Sequence, residues 1–203
     1  MTRITALIAL LVCLPAPAFC QAPAPPLTAE SYVPITGTQR IDWTVDGTIG
    51  MRSLTVVGPL ATVWQTAFNS PEEWGRGVSG IAKRYAQREA DVAISNSIEA
   101  GLGALWGEDP LYIRSGRKGI WPRARYAMKT VFLAQRRDGS LKPAWGRVAG
   151  NTLNNVIENV WLPPSVTTPG QTVMRSALGF LGRLGGNAWE EFWPDVARRF
   201  KKR

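Results

Sequence analysis

The stretch from Glu72 to Trp106 constrains the fold most, because it contains no proline and keeps a helical repeat along its length. Small residues recur in it every three or four positions and therefore lie along one side of a helix. They are Ala82, Ala86, Ala90, Ala93, Ser97, Ala100 and Ala104. Large apolar residues form a second stripe, which consists of Trp74, Val78, Ile81, Tyr85, Val92 and Leu102. The pattern predicts a long helix with one face for close packing and another that fills the core.

The start of this helix and its position relative to a membrane are also predicted. Ser70 is a favourable N-cap, Pro71 suits a first helical turn, and Glu72 complements the helix dipole. Charged residues within the helix each cost about 2.5 to 3.5 kcal/mol at the centre of a bilayer. They are Lys83, Arg84, Arg88, Glu89, Asp91 and Glu99. We therefore expect the helix to begin near Glu72 and not to span a membrane.

Three further helices are predicted downstream, separated by prolines and glycines. They run from Pro122 to Gln135, from Pro143 to Trp161, and from Pro169 towards the C-terminus. In the last one Gly179, Gly182 and Gly186 form a second small seam, although each glycine costs about 1 kcal/mol relative to alanine in a helix. The predicted fold class is all-α, a compact bundle of about five helices with close-packing seams rich in glycine and alanine. Such seams also allow a helix-mediated homo-oligomer.

The segment from Ser53 to Phe68 carries no charge and is harder to assign. As a helix it covers about 24 Å, which is shorter than the hydrocarbon core of a bilayer, and Gly58 with Pro59 interrupts it. The favoured interpretation is two buried helices with a bend. The alternative is a hairpin that inserts into a membrane, which would require the segment to lie on the outside of the fold.

The N-terminus has the layout of a secretory signal peptide covering residues 1–20, with an apolar run from Ile4 to Leu14. Ala18 suits cleavage after Cys20, whereas acylation of Cys20 in a lipoprotein and a retained anchor are the weaker alternatives. A flexible proline-rich leader is expected at 21–37, followed by a single helical domain at 38–203. The predicted location is therefore the periplasm or the periphery of the outer membrane.

Residue types absent from the chain exclude several chemistries. There is no histidine, and the two cysteines, Cys13 and Cys20, both lie in the predicted signal peptide. This removes Ser-His-Asp and Cys-His nucleophile systems and zinc sites built on imidazole or thiolate. The glycines at 75, 77 and 80 do not follow a strand, so they do not indicate a dinucleotide site. No metal and no cofactor is expected, and no motif specific for a reaction is present.

Two carboxylates stand out among apolar and small neighbours, Glu99 and Glu158. Burial would raise their pKa values, and a cell-wall glycan hydrolase could use such a pair if the two groups faced one another across a cleft. The stronger interpretation is that each pairs with an arginine or faces solvent. Four asparagines on one side of the same predicted helix are expected to bond a neighbouring helix, with Asn96 or Asn187 as candidate partners. They are Asn151, Asn154, Asn155 and Asn159.

The C-terminal stretch combines aromatic and cationic side chains. The chain has 24 Lys and Arg against 15 Asp and Glu, a net charge of +9, which favours anionic partners such as lipid headgroups or envelope polymers. Nucleic acid is not expected for an exported protein. The candidate surface-contact residues are Trp189, Trp193, Arg198, Arg199, Phe200, Lys201, Lys202 and Arg203. They predict either an interfacial contact with anionic lipid or only a solvated basic tail.

The chain resembles a group of uncharacterised exported proteins predicted from acidobacterial genomes. The resemblance rests on "GIAKRYAQREAD", "EDPLYIRSG" and "EFWPDVARRF", and covers roughly Thr38 to Phe200. It implies export and one shared helical domain and brings no activity, cofactor or site. The sequence therefore predicts a non-catalytic, envelope-associated helical protein.

Overall fold

The computed structural model of the chain describes residues 32–201 and shows a bundle of α-helices. The helices are α1 Gly37–Ile49, α2 Gly58–Ala67, α3 Val78–Trp106, α4 Ile120–Phe132, α5 Trp145–Ile157 and α6 Pro169–Lys201. A π-helix, Ser53–Val57, leads directly into α2, and a small antiparallel hairpin joins β1, Leu133–Gln135, to β2, Leu141–Pro143. The predicted all-α bundle is therefore confirmed.

The long helix α3 lies at the centre of this bundle. It packs against α1, α2 and α5, whereas α6 packs against α4 and α5. A glycine seam between α3 and α5 brings the two backbones together: a Cβ at Gly150 would lie 2.8 Å from the Ser95 carbonyl oxygen, and one at Gly146 would lie 3.0 Å from the Gly103 nitrogen. Close packing through small residues is confirmed here, but on a different face of α3 from the predicted alanine stripe.

The faces of α3 differ from the prediction because its inward side is polar. Gly80, Arg84, Arg88, Glu99 and Gly103 are its buried residues. Neither predicted stripe is buried: Ala82, Ala86 and Ala104 of the small stripe are exposed, and Val78 and Ile81 of the apolar stripe are exposed while its other members are half-buried. The expectation that the large apolar stripe fills the core is therefore wrong for its first turns.

Two predicted helix starts are also corrected. The chain does not enter α3 at Glu72, because Glu72–Trp74 forms a 3-10 turn and Gly75 then adopts a φ of 61°. The buried guanidinium of Arg84 holds this turn by donating to the carbonyl oxygens of Ser70, at 2.9 Å, and Pro71, at 2.7 Å. The helix expected from Pro143 begins at Trp145, since Pro143 belongs to β2.

The segment from Ser53 to Phe68 lies on the outside of the fold, so the expectation of two buried helices is wrong. Six of its seven large apolar side chains are between 40% and 65% exposed, and Leu54 is half-buried. The six are Val56, Val57, Leu60, Val63, Trp64 and Phe68. Its buried positions are the small residues Ser53, Gly58 and Thr62. Membrane insertion would require this segment to lie on the outside of the fold, and it does.

Residues 32–36, the part of the predicted leader that the structure describes, contact the bundle and cap α1. The Tyr32 hydroxyl donates to Asp109 Oδ2 at 3.2 Å, and Thr36 caps α1 through a reciprocal pair of hydrogen bonds with Gln39. The predicted signal peptide, both cysteines and the earlier part of the leader lie outside the described residues. Within residues 32–201, no helix combines the length and the apolarity needed to cross a membrane.

Replacing a glycine by alanine should lower the stability of the fold where the glycine contacts a neighbouring helix, and should not where it contacts none. We expect Gly150→Ala to destabilise the fold by about 1–3 kcal/mol, because its Cβ would press on the α3 backbone. Gly182→Ala has nothing within 4 Å of the new Cβ and should stabilise the fold by up to about 1 kcal/mol. Urea denaturation followed by circular dichroism measures both, and shifts of the same sign would contradict the packing described.

Candidate functional site

Among the described residues, more polar and charged side chains than apolar ones are buried in the bundle, which is unusual for a globular protein. The side chains that are both large and fully buried are Arg84, Glu191, Asn154 and Asp109. Other buried charged residues are Arg88, Glu99, Glu108, Arg147 and Glu158. The interior is therefore held together by hydrogen bonds and ion pairs to an unusual degree.

The exterior is correspondingly apolar on every helix. One large apolar side chain from each of α1 to α6 illustrates this, with exposures between 45% and 79%. They are Val45, Trp64, Leu105, Trp121, Leu153 and Leu181. Single exposed apolar residues are normal in globular proteins, and here they occur on all six helices.

Some of the buried carboxylates are fully occupied by structural bonds. Glu191 accepts from the Tyr112 hydroxyl at 2.8 Å, the Ser115 hydroxyl at 2.6 Å and Arg123 Nε at 2.9 Å. Burial opposes ionisation of Glu191, but the hydrogen bonds from Ser115 and Arg123 outweigh it and lower its pKa. This carboxylate anchors α6 to the connector before α4.

Glu108 has a comparable role at the start of α5. Its two carboxylate oxygens accept the backbone N–H groups of Trp145, at 3.0 Å, and Gly146, at 2.7 Å. A carboxylate at a helix N-terminus satisfies donors that have no partner within the helix and complements the helix dipole. Glu108 is thus a structural cap.

Glu99, the first candidate from the sequence, is held by two arginines. Its Oε1 atom accepts from Arg147 Nε at 2.9 Å and from Arg183 Nη2 at 3.1 Å. Burial and then the neighbouring Arg147 lower the pKa of Arg183 to about 10. The interpretation that Glu99 pairs with an arginine is confirmed.

Glu158, the second candidate, is much less well satisfied. Arg175 Nη1 lies 3.6 Å from its Oε2 atom, and no described residue donates a hydrogen bond to its Oε1 atom. Burial, and then the nearby carboxylate of Asp91, raise the pKa of Glu158 to about 8. Burial also raises the pKa of Asp91, which accepts a hydrogen bond from Asn154. The buried pair therefore retains a proton near neutral pH.

The two candidates are not brought together. Glu158 neighbours Asp91, which precedes Glu99 by eight positions on α3, or about 12 Å along the helix axis. Glu99 lines the central cavity described below, whereas Glu158 does not. Glycosidases need their two carboxyl groups closer than about 10 Å across one cleft. The geometry therefore does not favour a hydrolase that uses Glu99 and Glu158.

A cavity of about 890 Å³ lies between α1, α3, α5 and α6. This volume is within the range of about 300–1,000 Å³ found for small-molecule sites. Its lining includes charged side chains from α1, α3, α5 and α6, among them Asp42, Asp46, Arg147 and Arg183. Asp42 and Asp46 were not among the residues predicted from the sequence, although two acids separated by four positions lie on one face of a helix.

Three of the four asparagines of α5 and the 3-10 turn Glu158–Val160 after it bond to neighbouring helices, as predicted, whereas Asn155 donates to the Asn151 carbonyl oxygen within α5. Asn151 Nδ2 donates to the Ser176 carbonyl oxygen at 2.8 Å, Asn154 donates to Asp91, and Asn159 donates to Thr172 Oγ1 at 3.0 Å. The expected partners Asn96 and Asn187 are not the ones used. Asn187 instead donates to the Ala127 carbonyl oxygen at 3.1 Å.

The predicted C-terminal contact residues lie on the surface as far as they are described. Trp189 and Trp193 stack with their ring centroids 4.4 Å apart and are 46% and 43% exposed. Phe200 is 72% exposed, and Arg198 and Arg199 are exposed as well. The Lys201 side chain and the whole of Lys202 and Arg203 lie outside the described residues.

The acids of the same helix end are engaged by arginines. Glu191 is buried against Arg123, and Asp195 pairs with Arg123 at 2.5 Å and with Arg198. Arg52, which directly precedes the π-helix, places its Nη1 atom 2.8 Å from Glu190 Oε1. Its guanidinium lies 5.5 Å from the centroid of the Trp189 ring. The outward surface at this end is therefore aromatic and cationic.

Comparisons of the chain with protein-family models, with curated proteins and with solved structures gave no match.

Proposed function

We propose that this chain is an exported, non-catalytic protein of the cell envelope that associates with an anionic lipid surface through the C-terminal end of α6. The observation that carries the proposal is that aromatic side chains at this helix end face outward while an acidic side chain faces inward. Trp189, Trp193 and Phe200 are exposed, whereas Glu191 is buried. Tryptophan and arginine together suit the headgroup region of a bilayer, where an amphipathic ring and a cation both find partners.

The apolar exterior supports lipid as the partner over another protein. A stable protein interface covers about 800 Å² on each partner, which is one patch of the surface. Here all six helices carry exposed large apolar side chains, from Val45 on α1 to Leu181 on α6. A lipid phase can contact several such faces at once, because it has no fixed shape.

A second way of contacting the membrane is favoured by the position of residues 53–68. Trp64 and Phe68 are each 65% exposed, and their ring centroids lie 4.7 Å apart. Such a pair can enter the boundary between headgroups and acyl chains without spanning the bilayer. In this alternative, the apolar surface of α2 and the preceding π-helix inserts into the membrane.

Cosedimentation of the purified chain with vesicles tests both modes of contact. We expect binding to phosphatidylcholine vesicles that contain phosphatidylglycerol, weaker binding to phosphatidylcholine alone, and a decrease with added salt. Each cation near an anionic surface contributes about 1 kcal/mol, so Arg198→Ser with Arg199→Ser should weaken binding by about tenfold or more. Loss of one positive charge at each site leaves the buried contacts of Glu191 intact.

The matched control removes two exposed cations elsewhere, through Lys83→Ser with Lys118→Ser. If this control weakens binding as much as the C-terminal pair, net charge alone explains the interaction and the C-terminal contact is wrong. Salt-resistant binding that Trp64→Ser with Phe68→Ser abolishes would instead establish insertion through residues 53–68. Absence of binding to either vesicle would contradict both modes.

A further inference from the structure

The central cavity has an acidic wall on α1. Asp42 and Asp46 both line it and lie one helical turn apart on the same face, with Trp43 beside them. No described residue forms an ion pair with either aspartate, and both are exposed at the rim of the cavity. This wall can therefore accept a cationic group.

The opposite wall, on α6, carries positive charge in excess. Arg183 uses Nη2 to donate to Glu99, at 3.1 Å, and to the Pro110 carbonyl oxygen, at 2.6 Å. No described residue accepts a hydrogen bond from its Nε or Nη1. Glu99 divides its single charge between Arg183 and Arg147, so one guanidinium charge is left without a counterion. This wall can therefore accept an anionic group.

The two walls come close enough for one small molecule to contact both. The guanidinium carbon of Arg183 lies 5.9 Å from the centroid of the Trp43 ring, and Trp43 belongs to the same turn of α1 as Asp42 and Asp46. The surplus positive charge and the unpaired acids thus face the same part of the cavity.

The glycines of α6 keep this space open. Gly182 and Gly186 line the cavity, and an added Cβ at either would meet nothing within 4 Å. The sequence interpreted them as a close-packing seam, and that is wrong for these two positions because no described residue outside α6 lies within 4 Å of where their Cβ atoms would be. Each glycine costs about 1 kcal/mol relative to alanine in a helix, so open space has been kept at a cost in stability.

We infer that this cavity binds a small zwitterion, with its anionic group on Arg183 and its ammonium group between Asp42 and Asp46. A simple anion would be repelled by the α1 wall, and a simple cation by Arg183, whereas a molecule with both charges satisfies both walls. Two sources share this chemistry: a free α-amino acid, and the ethanolamine phosphate headgroup of a lipid. Because binding of a free solute needs no vesicle, the inference stands apart from the proposed membrane contact.

Isothermal titration of the full chain tests this inference. The probes are the common α-amino acids, each titrated singly, and O-phosphoethanolamine, with acetate and methylammonium as probes that carry one charge only. We expect at least one zwitterion to bind at least tenfold more tightly than either singly charged probe. Tightest binding of O-phosphoethanolamine would identify the lipid headgroup as the source, and tightest binding of an amino acid would identify a free solute. If no zwitterion binds, or if acetate binds equally well, the inference is overturned.

Two variants localise the binding without disturbing the buried ion pairs. Asp42→Asn with Asp46→Asn changes exposed groups and should weaken binding tenfold or more. Gly186→Leu places a side chain in the cavity and should abolish binding. Its control is Gly185→Leu, which also meets nothing within 4 Å but does not line the cavity. Equal binding by these two leucine variants, with circular dichroism unchanged, would place the ligand elsewhere and overturn the assignment.

Discussion

Replacing Arg147 with methionine is expected to destabilise the fold by about 3–5 kcal/mol, since it breaks a buried ion pair from one side. The Arg147 guanidinium is almost fully buried and donates to Glu99 Oε1 at 2.9 Å. It also donates to the carbonyl oxygens of Thr130, at 2.5 Å, and Leu133, at 3.2 Å, around the end of α4. Methionine fills similar space but leaves these oxygens without a donor in the interior.

The measurement is urea denaturation followed by circular dichroism, with the slope of the transition checked for constancy. Arg52→Met is the matched control, because Arg52 also pairs with a glutamate, Glu190, but its side chain is 56% exposed. We expect the control to cost less than about 1 kcal/mol. If both variants lost the same small amount, the Arg147 cluster would contribute no more than a surface pair, and the account of a polar interior would fail.

Helical periodicity predicted the fold class from the sequence because it reports which residues share a face. Proline and glycine similarly indicated where α6 begins, at Pro169, and where α3 ends, before Gly107. Periodicity does not report which face turns inward, and this is where prediction failed for Val78 and Ile81. The inward face of α3 is set by partners distant in sequence, such as Arg147 for Glu99, which no local pattern shows.

The candidate site was predictable only in part for the same reason. Glu99 and Glu158 stood out because their sequence neighbours are apolar, and both are indeed buried and paired with arginines. Their separation depends on how α5 lies across α3, which the sequence does not specify. The acidic wall of the cavity was missed because Asp42 and Asp46 become significant only when Arg183, far along the chain, faces them across the cavity.

A polar interior and an apolar exterior together limit the stability that this chain gains from folding in water. Buried ion pairs repay their desolvation only when their geometry is good, so they contribute less to stability than apolar burial of the same volume. Apolar side chains that remain outside, such as Leu105 at 79% and Trp121 at 76% exposure, would gain stability from a lipid environment that removes them from water. The proposed association with lipid should therefore raise the stability of this chain.

Replacing Glu158 with glutamine should make the protein more stable in mildly alkaline solution. The folded state holds the pKa of Glu158 at about 8, above the value of 4.5 that applies to an unperturbed side chain. The folded protein therefore binds this proton more tightly than the unfolded chain does, so wild-type stability is lost as pH rises from about 4.5 to about 8. Glutamine does not ionise, and its variant should lack this loss.

We expect Glu158→Gln to be more stable than the wild type by about 2–3 kcal/mol at pH 9 and to differ little from it at pH 5. Relaxation around Glu158 and Asp91 keeps this difference below what the pKa of Glu158 alone would give. Urea denaturation at several pH values measures it. Glu191→Gln is the control, and its stability should change in the opposite direction. Hydrogen bonds to Glu191 outweigh burial and lower its pKa, so this variant should be destabilised at neutral and alkaline pH. Parallel pH profiles for Glu158→Gln and the wild type would mean that Glu158 is ionised in the folded protein, with Arg175 as its full counterion.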